Sequence, residues 1–567
     1  MAERYQWVLR AQVPDNVSGK FPEISPVVLQ LLHNRGLETQ KDVDMFLTPD
    51  YGDDQHDPFL FRDMHKAVDR IAAAVEKKEK IVIHGDYDAD GVGASAILYK
   101  TLQKTGADVT VYLPHRDTEG YGLNMATVQS LHDDKTNLII TVDCGISNKP
   151  EVEKATELGM DVIITDHHNE PPELPDRAFA IINPKVSGET YPFEHLAGAG
   201  VAFKLCQALI KEYKLGEAFE KWLLDIVAIS TVSDYVRLIG ENRVLVKYGL
   251  IVLKKSLRPG LQSLFETAGI DPNALDTETI MFKVGPCINA AGRVKHANAA
   301  FDMLVEEDEG KARTYAEDLG RTNKERQQLS AQMTKEALSQ AEPQKDEYVI
   351  FMESDAWPLG LTGLVAGNIS QKFNRPAFVI TTMGDEVVGS GRSIEHFDII
   401  AALQSMDELF HKYGGHPRAC GFSLKQEEDI EEFKKRMRAL ANEQLADKDL
   451  RKTLSIEAEL EISDIDWKLV QELEQFAPHG EGNPKPVFAA RNAEVREYSC
   501  VGKTKSHLRM TVAQNGVTRK CIGFSCGEIA QRLATGDEIG IAFTIGINEW
   551  NGNREIQLEI KDIELPS

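Results

Sequence analysis

Carboxylate and imidazole side chains cluster directly after an apolar run in the first part of the chain. His84, Asp86, Asp88 and Asp90 lie in the segment HGDYDADGVGA, which follows the run IVI. Ionisable groups at every second position repel one another unless cations lie among them. Hard divalent ions suit carboxylates with a few imidazoles, and the lack of thiolates in the segment argues against structural zinc. The alternative for this cluster alone is a solvated acidic turn.

Two further strand ends strengthen the metal prediction. Asp143 closes the run NLIITVD. Asp166, His167 and His168 close the run DVIITDHH. Because the carboxyl ends of strands line the ligand crevice of an open α/β sheet, these side chains should meet the first cluster. Asp234, at the end of the apolar run AISTVSD, either supplies a further ligand or caps a helix.

The elements that must position these residues alternate between short β-branched runs and helical stretches from Lys80 to about residue 235. This rhythm predicts an α/β domain at 80–235, with a parallel sheet and crossover helices. Residues 1–79 are expected to be a lead-in that packs on that domain.

The rest of the chain changes pattern three times. Residues 236–342 are strongly helical and are expected to end in a long connecting helix. A second α/β pattern, with the glycine-rich stretch KYGGHPRACGF, covers residues 343–447. Short alternating strands at 452–567 predict a small barrel of the OB-fold type.

Composition limits the class of protein. With 64 basic and 89 acidic residues, the net charge of −25 has the wrong sign for a protein that coats nucleic acid, so any nucleic-acid path must be local. The first residues lack the apolar core of a signal peptide, and no apolar run approaches the ~20 residues that cross a bilayer. The seven scattered cysteines are expected to be reduced thiols. These features predict a cytoplasmic protein without a membrane partner.

Four segments resemble, in order and spacing, the motifs of the DHH phosphoesterases: HGDYDADGVGA, VDCG, TDHH and TVSDYV. GSGRS and GGHPRACGF resemble the motifs of the second domain associated with that family. YLPHRDTEGYGL, NPK, LAGAGVAFKL, INAAGR and LGRTNKERQQL resemble the intervening segments of the RecJ exonucleases, a branch of the family, so nearly the whole chain is covered. The sequence departs from the pattern at Trp357-Pro358, where a histidine is expected beside the tryptophan.

The resemblance implies a site for two divalent ions, Mn²⁺ or Mg²⁺. The implied ligands are Asp86, Asp88, Asp90, Asp143, His167 and Asp234. Asp143 would bridge the two ions, and His168, with Asp166, would belong to the catalytic set and face the phosphate. His416 of the GGH segment would stabilise charge on the scissile phosphate, or be merely structural. Two ions can activate a water and stabilise both oxygens of an in-line displacement.

The resemblance also implies sites for the nucleic acid. Arg116, Ser390 and Arg392 would form a pocket for a terminal 5′-phosphate, which suits guanidinium groups and gives an exonuclease its polarity. Arg293, Asn323 and Arg326 would contact the strand backbone. For the last two, i,i+3 pairing on the helix surface is the alternative.

The predicted barrel carries its own basic and aromatic residues. They are Arg496, Lys503, Lys505, Arg509, Arg519, Lys520, Tyr498, Phe524 and Trp550. Basic residues that follow phosphates and aromatic faces that stack bases are how OB-folds hold single strands. A solvated face with core aromatics is the alternative.

The resemblance, with these residues, implies a single-stranded-DNA-specific 5′→3′ exonuclease that releases 5′-mononucleotides in DNA repair and recombination. By resemblance, a RecQ-type helicase and a single-strand-binding protein are the expected partners, and a monomer is the expected state. The first alternative is a DHH phosphodiesterase of short oligonucleotides or cyclic dinucleotides, against which the barrel argues. A catalytically inactive DNA-binding scaffold is disfavoured, because a scaffold has no need of mutually repulsive carboxylates.

Overall fold

The computed structural model describes residues 5–116, 118–384, 386–550 and 552–565. Its strands are β1 (Tyr5–Leu9), β2 (Lys80–His84), β3 (Asp108–Tyr112), β4 (Leu138–Val142), β5 (Asp161–Thr165), β6 (Ala180–Ile182), β7 (Ile350–Glu353), β8 (Ala377–Met383), β9 (Glu386–Arg392), β10 (Phe410–His416), β11 (Ala419–Leu424), β12 (Lys452–Ile456), β13 (Ala458–Glu459), β14 (Phe488–Val501), β15 (His507–Gln514), β16 (Val517–Gly523), β17 (Glu538–Trp550) and β18 (Asn553–Glu564).

The α-helices fill the intervals between these strands. They are α1 (Asp15–Ser18), α2 (Pro26–Asn34), α3 (Gln40–Leu47), α4 (Met64–Lys77), α5 (Ala89–Thr105), α6 (Met125–Asp133), α7 (Lys149–Glu157), α8 (Gly198–Tyr213), α9 (Glu217–Trp222), α10 (Leu224–Ser233), α11 (Gly240–Leu253), α12 (Pro259–Ala268), α13 (Thr277–Thr279), α14 (Gly285–Val294), α15 (Asn298–Val305), α16 (Glu309–Ala341), α17 (Leu359–Phe373), α18 (Ile399–Gln404), α19 (Asp429–Leu445) and α20 (Trp467–Glu474). In the described part of the chain, no helix is both long and apolar enough to cross a membrane.

The first sheet is parallel and carries the strands that the sequence predicts. Its order is β3-β2-β4-β5-β6. The central strand β4 reads LIITV and is buried at every residue, as expected for a sheet covered by helices on both faces. The strand order reverses between β2 and β4, and an open sheet binds its ligands at such a reversal. The residues after β2 and β4 therefore lie at the crevice.

A helical segment follows this sheet, and α16 ends it. This helix is 33 residues long, and the carboxylate of Asp308 caps it by accepting a hydrogen bond from Lys311 N at 2.8 Å. The predicted long connecting helix is confirmed. A π-helical turn, Ile280–Val284, precedes α14 directly.

The second α/β region has a mixed sheet in the order β10-β11-β9-β8-β7. Strands β7 and β8 are parallel, and the other neighbours are antiparallel. The departure at Trp357-Pro358 lies beside this sheet: Pro358 is the N-cap residue of α17, and Trp357 Nε1 donates to Glu336 Oε2 at 2.9 Å. The tryptophan thus fastens α16 to the start of α17.

The C-terminal strands form the predicted barrel. The sheet runs β14-β15-β16-β18-β17, and a further pairing of β14 with β17 closes it. The expected α/β architecture with a C-terminal OB-fold barrel is therefore confirmed.

The expected packing of the N-terminal lead-in is corrected for residues up to Gln55. Contacts place them with Arg237–Val244 and the barrel in one unit, whereas the other unit begins at His56. Strand β1 pairs in parallel with β12, and Leu32 and Phe46 belong to the apolar core of the barrel. The sequence shows that α2 and α3 each have an apolar face, but not which surface covers that face. The remaining domain boundaries stay a prediction.

Candidate metal centre

The loop after β2 folds back on the start of α5. Asp88 is the N-cap residue of α5, and its Oδ1 accepts hydrogen bonds from Asp90 N at 2.8 Å and Gly91 N at 3.1 Å. A Cβ atom on Gly91 would lie 2.6 Å from Asp86 Cβ, so only glycine allows this approach. The DADG sequence therefore holds the carboxylates of Asp86, Asp88 and Asp90 close together.

The start of α8 holds Asp90. Its two carboxylate oxygens accept hydrogen bonds from Gly198 N at 2.6 Å and Ala199 N at 2.9 Å. A helix N-terminus favours negative charge. Burial nevertheless raises the pKa of Asp90 to about 7, and the charge of Asp88 adds to that rise.

Asp143 follows β4 in the left-handed region of the backbone, with φ at 59°. Few residues other than glycine adopt this conformation, and such strain concentrates at functional sites. Asp143 N donates to Thr165 O at 2.9 Å, which anchors the turn to β5. A Cβ atom on Gly198 would overlap the Asp143 carboxylate, so that carboxylate packs directly against the start of α8.

His167 and Asp234 complete the cluster. His167 Nε2 lies 3.2 Å from Asp143 Oδ1 and 3.6 Å from Asp234 Oδ2. Burial, reinforced by the charge of His168, lowers the pKa of His167 to about 3, so the imidazole is neutral and free to ligate a metal. Asp234 is the C-cap residue of α10 and also reaches the cluster, so it stands at a helix end and among the candidate ligands at once.

The donor atoms fall into groups of the size that a metal ion requires. In each of three groups the donor atoms lie within 4.8 Å of one another; the groups are Asp86, Asp88 and Asp143; Asp90, His167 and Asp234; and Asp143, His167 and His168. Asp143 is shared between groups, as expected for a bridging ligand.

Unsatisfied atoms in the cluster fit divalent cations. Among the described residues, Asp86 Oδ1, Asp143 Oδ1 and both ring nitrogens of His167 are buried and have no hydrogen-bond partner. Burial, together with the charges of neighbouring aspartates, raises the pKa of Asp86, Asp143 and Asp234 well above the ordinary value. Such groups are costly unless cations compensate them. Oxygen donors with one or two imidazoles suit Mn²⁺ or Mg²⁺.

Asp166 orients the neighbouring histidine. Its Oδ1 lies 2.8 Å from His168 Nδ1 and accepts a hydrogen bond from His167 N, and its Oδ2 accepts one from Ile146 N at 2.9 Å. Although burial opposes it, the bond with His168 holds the pKa of Asp166 below its ordinary value. The same bond outweighs burial at His168 and raises the pKa of that imidazole.

Tyr121 is a site residue that sequence reasoning missed. Its hydroxyl donates to Asp143 O at 3.0 Å and lies 3.0 Å from His168 Nδ1. The tyrosine therefore joins the turn after β4 to the turn after β5. The segment GYGL was noted only as part of a resemblance, and nothing in its spacing indicated this contact.

Four arginines form a cluster beside the carboxylates: Arg116, Arg293, Arg326 and Arg392. The guanidinium of Arg116 lies 5.2 Å from the ring centroid of Tyr87, the residue between Asp86 and Asp88. Burial, with the charges of Arg116, Arg326 and Arg392, lowers the pKa of Arg293 to about 10. Mutually repulsive guanidinium groups are stabilised by an anion between them.

The other predicted phosphate contacts lie around these arginines. Ser390 Oγ lies 2.9 Å from Thr362 Oγ1, on the same strand as Arg392. Arg326 donates to Asn323 Oδ1 at 2.9 and 3.1 Å, so the i,i+3 pairing is present. The charge of Arg326 nevertheless acts on Arg293.

Two histidines lie apart from the carboxylates. His416 is exposed at the end of β10 and, within the described residues, makes no hydrogen bond or ion pair with them. His84 is buried, and its Nδ1 lies 3.7 Å from Cys144 Sγ. Burial lowers the pKa of His84 to about 4, as for a neutral core histidine.

The contact at Gly198 gives a first prediction, for Gly198→Ala. The new methyl group displaces the Asp143 carboxylate, and we expect the affinity for Mn²⁺ to fall by about 10- to 100-fold, the range seen when the support of a metal ligand is lost. Isothermal titration calorimetry measures the affinity. Gly320→Ala is the matched control, because its Cβ would approach nothing closer than 3.8 Å. Equal affinities in the two variants would contradict the assignment of Asp143 as a ligand.

Models of three protein families match the chain. They are the DHH family N-terminal domain at residues 80–231, the DHHA1 domain at 346–443 and the RecJ OB domain at 456–562. A protein of Bacillus subtilis named single-stranded-DNA-specific exonuclease RecJ is 38% identical over 568 residues, which cover 99% of this chain and 71% of that protein.

Solved structures agree with the sequence comparisons. The crystal structure of RecJ from Thermus thermophilus in complex with Mn²⁺ matches 100% of this chain and 80% of its own, with a TM-score of 0.85 and 28% identity. The Mg²⁺ complex of that protein matches with a TM-score of 0.79 and 27% identity, over 100% of this chain and 79% of its own. The family models, the relatives and the fold agree, and the chain belongs to the RecJ family of the DHH phosphoesterases.

Proposed function

We propose that the protein is a metal-dependent exonuclease that degrades single-stranded DNA in the 5′→3′ direction and releases 5′-mononucleotides. One observation carries the proposal: a buried carboxylate cluster with unsatisfied donor atoms lies beside four convergent arginines. The first feature suits phosphodiester hydrolysis and the second suits a terminal phosphate. The name of the Bacillus subtilis relative agrees with this substrate.

The candidate ligands divide into two sets, and Asp143 belongs to the first and lies 3.2 Å from His167 of the second. Asp86 and Asp88 with Asp143 would hold one ion, and Asp90, His167 and Asp234 would hold the other. When bound, two divalent ions lower the pKa of a water and stabilise the attacking and leaving oxygens of the phosphate. These roles explain why the chain keeps carboxylates that repel one another.

The chain's own residues orient the phosphate. His168, fixed by Asp166, has a raised pKa and so can donate a hydrogen bond to a phosphate oxygen. The Tyr121 hydroxyl lies 3.0 Å from the same nitrogen, Nδ1, of that imidazole. His416, which is exposed at the end of β10, would stabilise charge on the scissile phosphate. These residues supply positioning and a proton donor rather than a covalent nucleophile.

Degradation of end-labelled DNA tests the proposal. Single strands labelled at the 5′ or the 3′ end, a duplex and a dinucleotide are incubated with Mn²⁺ and then with EDTA. We expect metal-dependent release of the 5′ label as a mononucleotide and little loss of the duplex. Activity confined to the dinucleotide would instead favour a phosphodiesterase of short oligonucleotides.

The arginine cluster gives a second prediction, for Arg392→Gln. Hydrogen bonds to charged groups contribute about 1.5–3 kcal/mol each, so we expect the preference for a 5′-phosphate over a 5′-hydroxyl strand to fall by roughly 10- to 100-fold. The ratio of kcat/KM for the two strands measures it. Arg436→Gln is the control, because Arg436 pairs with Glu408 on the surface of the same domain. An unchanged ratio would place the 5′-phosphate elsewhere.

The cellular setting is also part of the proposal. Exonucleases of single strands act on ends that other proteins expose, so a RecQ-type helicase and a single-strand-binding protein are the proposed partners in DNA repair and recombination. We propose that the chain acts as a monomer in the cytoplasm. The barrel would hold the strand by its basic and aromatic residues; the side chain of Trp550 lies outside the described residues.

A further inference from the structure

Helix α14 extends from the metal centre to the arginine cluster. At its start, Gly285 packs so closely on Ser233 Oγ that a Cβ atom would overlap it, and Ser233 precedes Asp234. Near its end, Gly292 packs equally closely on the carbonyl oxygen of Tyr87. Seven residues of helix span about 10 Å. The start of α14 thus lies next to Asp234, and its end lies next to the arginine cluster.

Two exposed aromatic residues lie at the Asp234 end. Tyr235 directly follows Asp234 and is 56% exposed. Phe282 is 65% exposed and lies in the π-helical turn that precedes α14. That turn packs on the end of α10, which brings it to the same side of the site.

The exposure of these two aromatic rings to water costs free energy, and the packing of the fold does not require it. Single exposed apolar residues are ordinary on a surface, but Tyr235 adjoins a candidate ligand and the turn that carries Phe282 packs on the helix that ends at that ligand. Tyr235 is held in the left-handed region, with φ at 60°, where a bulky residue is strained. A π-helical turn is also rare and is enriched at functional sites. Both irregularities turn an aromatic ring outward beside the metal centre.

We propose that Tyr235 and Phe282 stack the bases that follow the scissile phosphate on its 3′ side. The inference rests on the proposed function, because it places the 5′-phosphate among the arginines and the scissile phosphate at the carboxylates. The strand then leaves the site past Asp234, where the two rings lie. Stacking on an aromatic face tolerates any base and requires a strand that is not already paired. These rings would therefore favour single strands without reading their sequence.

Binding of strands that lack one base tests the inference. The proteins carry Asp143→Asn to block hydrolysis, and the probes are 5′-phosphorylated eight-nucleotide strands, either intact or with one abasic site at each of positions 2 to 5. Fluorescence anisotropy gives the Kd. We expect one or two abasic sites to weaken binding by about 5- to 100-fold, the range for loss of one stacked base.

Tyr235→Ala and Phe282→Ala should weaken binding of the intact strand by a similar factor and make it insensitive to those abasic sites. Tyr235→Phe should restore both properties, since it keeps the ring. Trp222→Ala is the control, because Trp222 is an exposed aromatic residue near the opposite end of α10. If an abasic site weakens binding by the same factor in proteins with and without the two rings, the inference is wrong.

A hydrolysis measurement separates this inference from the proposed function. With Asp143 intact, the alanine variants should raise KM for long strands and leave kcat for a 5′-phosphorylated dinucleotide within about twofold, because the rings contact bases and not the reacting phosphate. Loss of dinucleotide turnover would show that the variants disturb Asp234 and would overturn the stacking role. A wild-type chain that degrades no single strand would overturn the proposed function itself.

Discussion

Replacing Asp143 by asparagine is expected to lower the rate of single-strand hydrolysis by about 10³-fold or more while single-strand binding persists. Asp143 belongs to the group with Asp86 and Asp88 and also to the group with His167 and His168, so its loss is expected to affect both ions at once. Asparagine keeps the shape of the side chain but removes the charge, and the surrounding aspartates then lack the cations that compensate them. Rates from single-turnover digestion and Kd from anisotropy measure the two effects.

The matched control for this variant is Asp161→Asn. Asp161 begins β5, at the amino end of the same sheet, and forms an ion pair with Arg70 at 2.6 Å. It carries the same chemical change without access to the crevice at the carboxyl ends of the strands. We expect it to retain hydrolysis within a few-fold. Full turnover by the Asp143 variant, with a Mn²⁺ stoichiometry equal to that of the wild type, would exclude Asp143 as a required ligand of either ion.

The site's composition could be predicted because strands have a direction. β2 ends at His84, two residues before Asp86, and β4 and β5 end directly before Asp143 and Asp166. Parallel strands bring their carboxyl ends to one edge of the sheet. That rule was enough to unite Asp86, Asp143 and His167. The resemblance supplied the ligand set but not the geometry.

Other features of the site depend on packing between segments that are distant in sequence. The hydrogen bond from Tyr121 to Asp143 O and the support of Asp90 by Gly198 join parts of the chain that no local pattern relates. The same holds for the N-terminal helices. The spacing of apolar residues in α2 and α3 predicts that one face of each helix is buried. Which of the two cores covers that face depends on shape complementarity, which the spacing does not encode.

Arg243 shows how such long-range packing holds the barrel unit together. Its side chain is buried, and its guanidinium donates to Phe46 O and to the carbonyl oxygens of residues 475 to 478 at 2.8 to 3.2 Å. It also lies 4.0 Å from the ring centroid of Phe46. Five donors meet five carbonyl groups, four of them directly after α20, where helical carbonyls lack partners.

Arg243→Met is therefore expected to destabilise this unit by about 3–5 kcal/mol, because methionine fills the space but leaves the buried carbonyls unpaired. Hydrogen exchange followed by mass spectrometry should show amides of β14, β15 and β17 exchanging about 10²- to 10³-fold faster, whereas those of β4 and β5, in the other unit, keep their protection. Arg496→Met is the control, because Arg496 is exposed on the barrel and pairs with Glu494. Unchanged exchange in the Arg243 variant would mean that water satisfies these carbonyls and that the apolar core, which includes Phe46 and Phe476, holds the unit without the arginine.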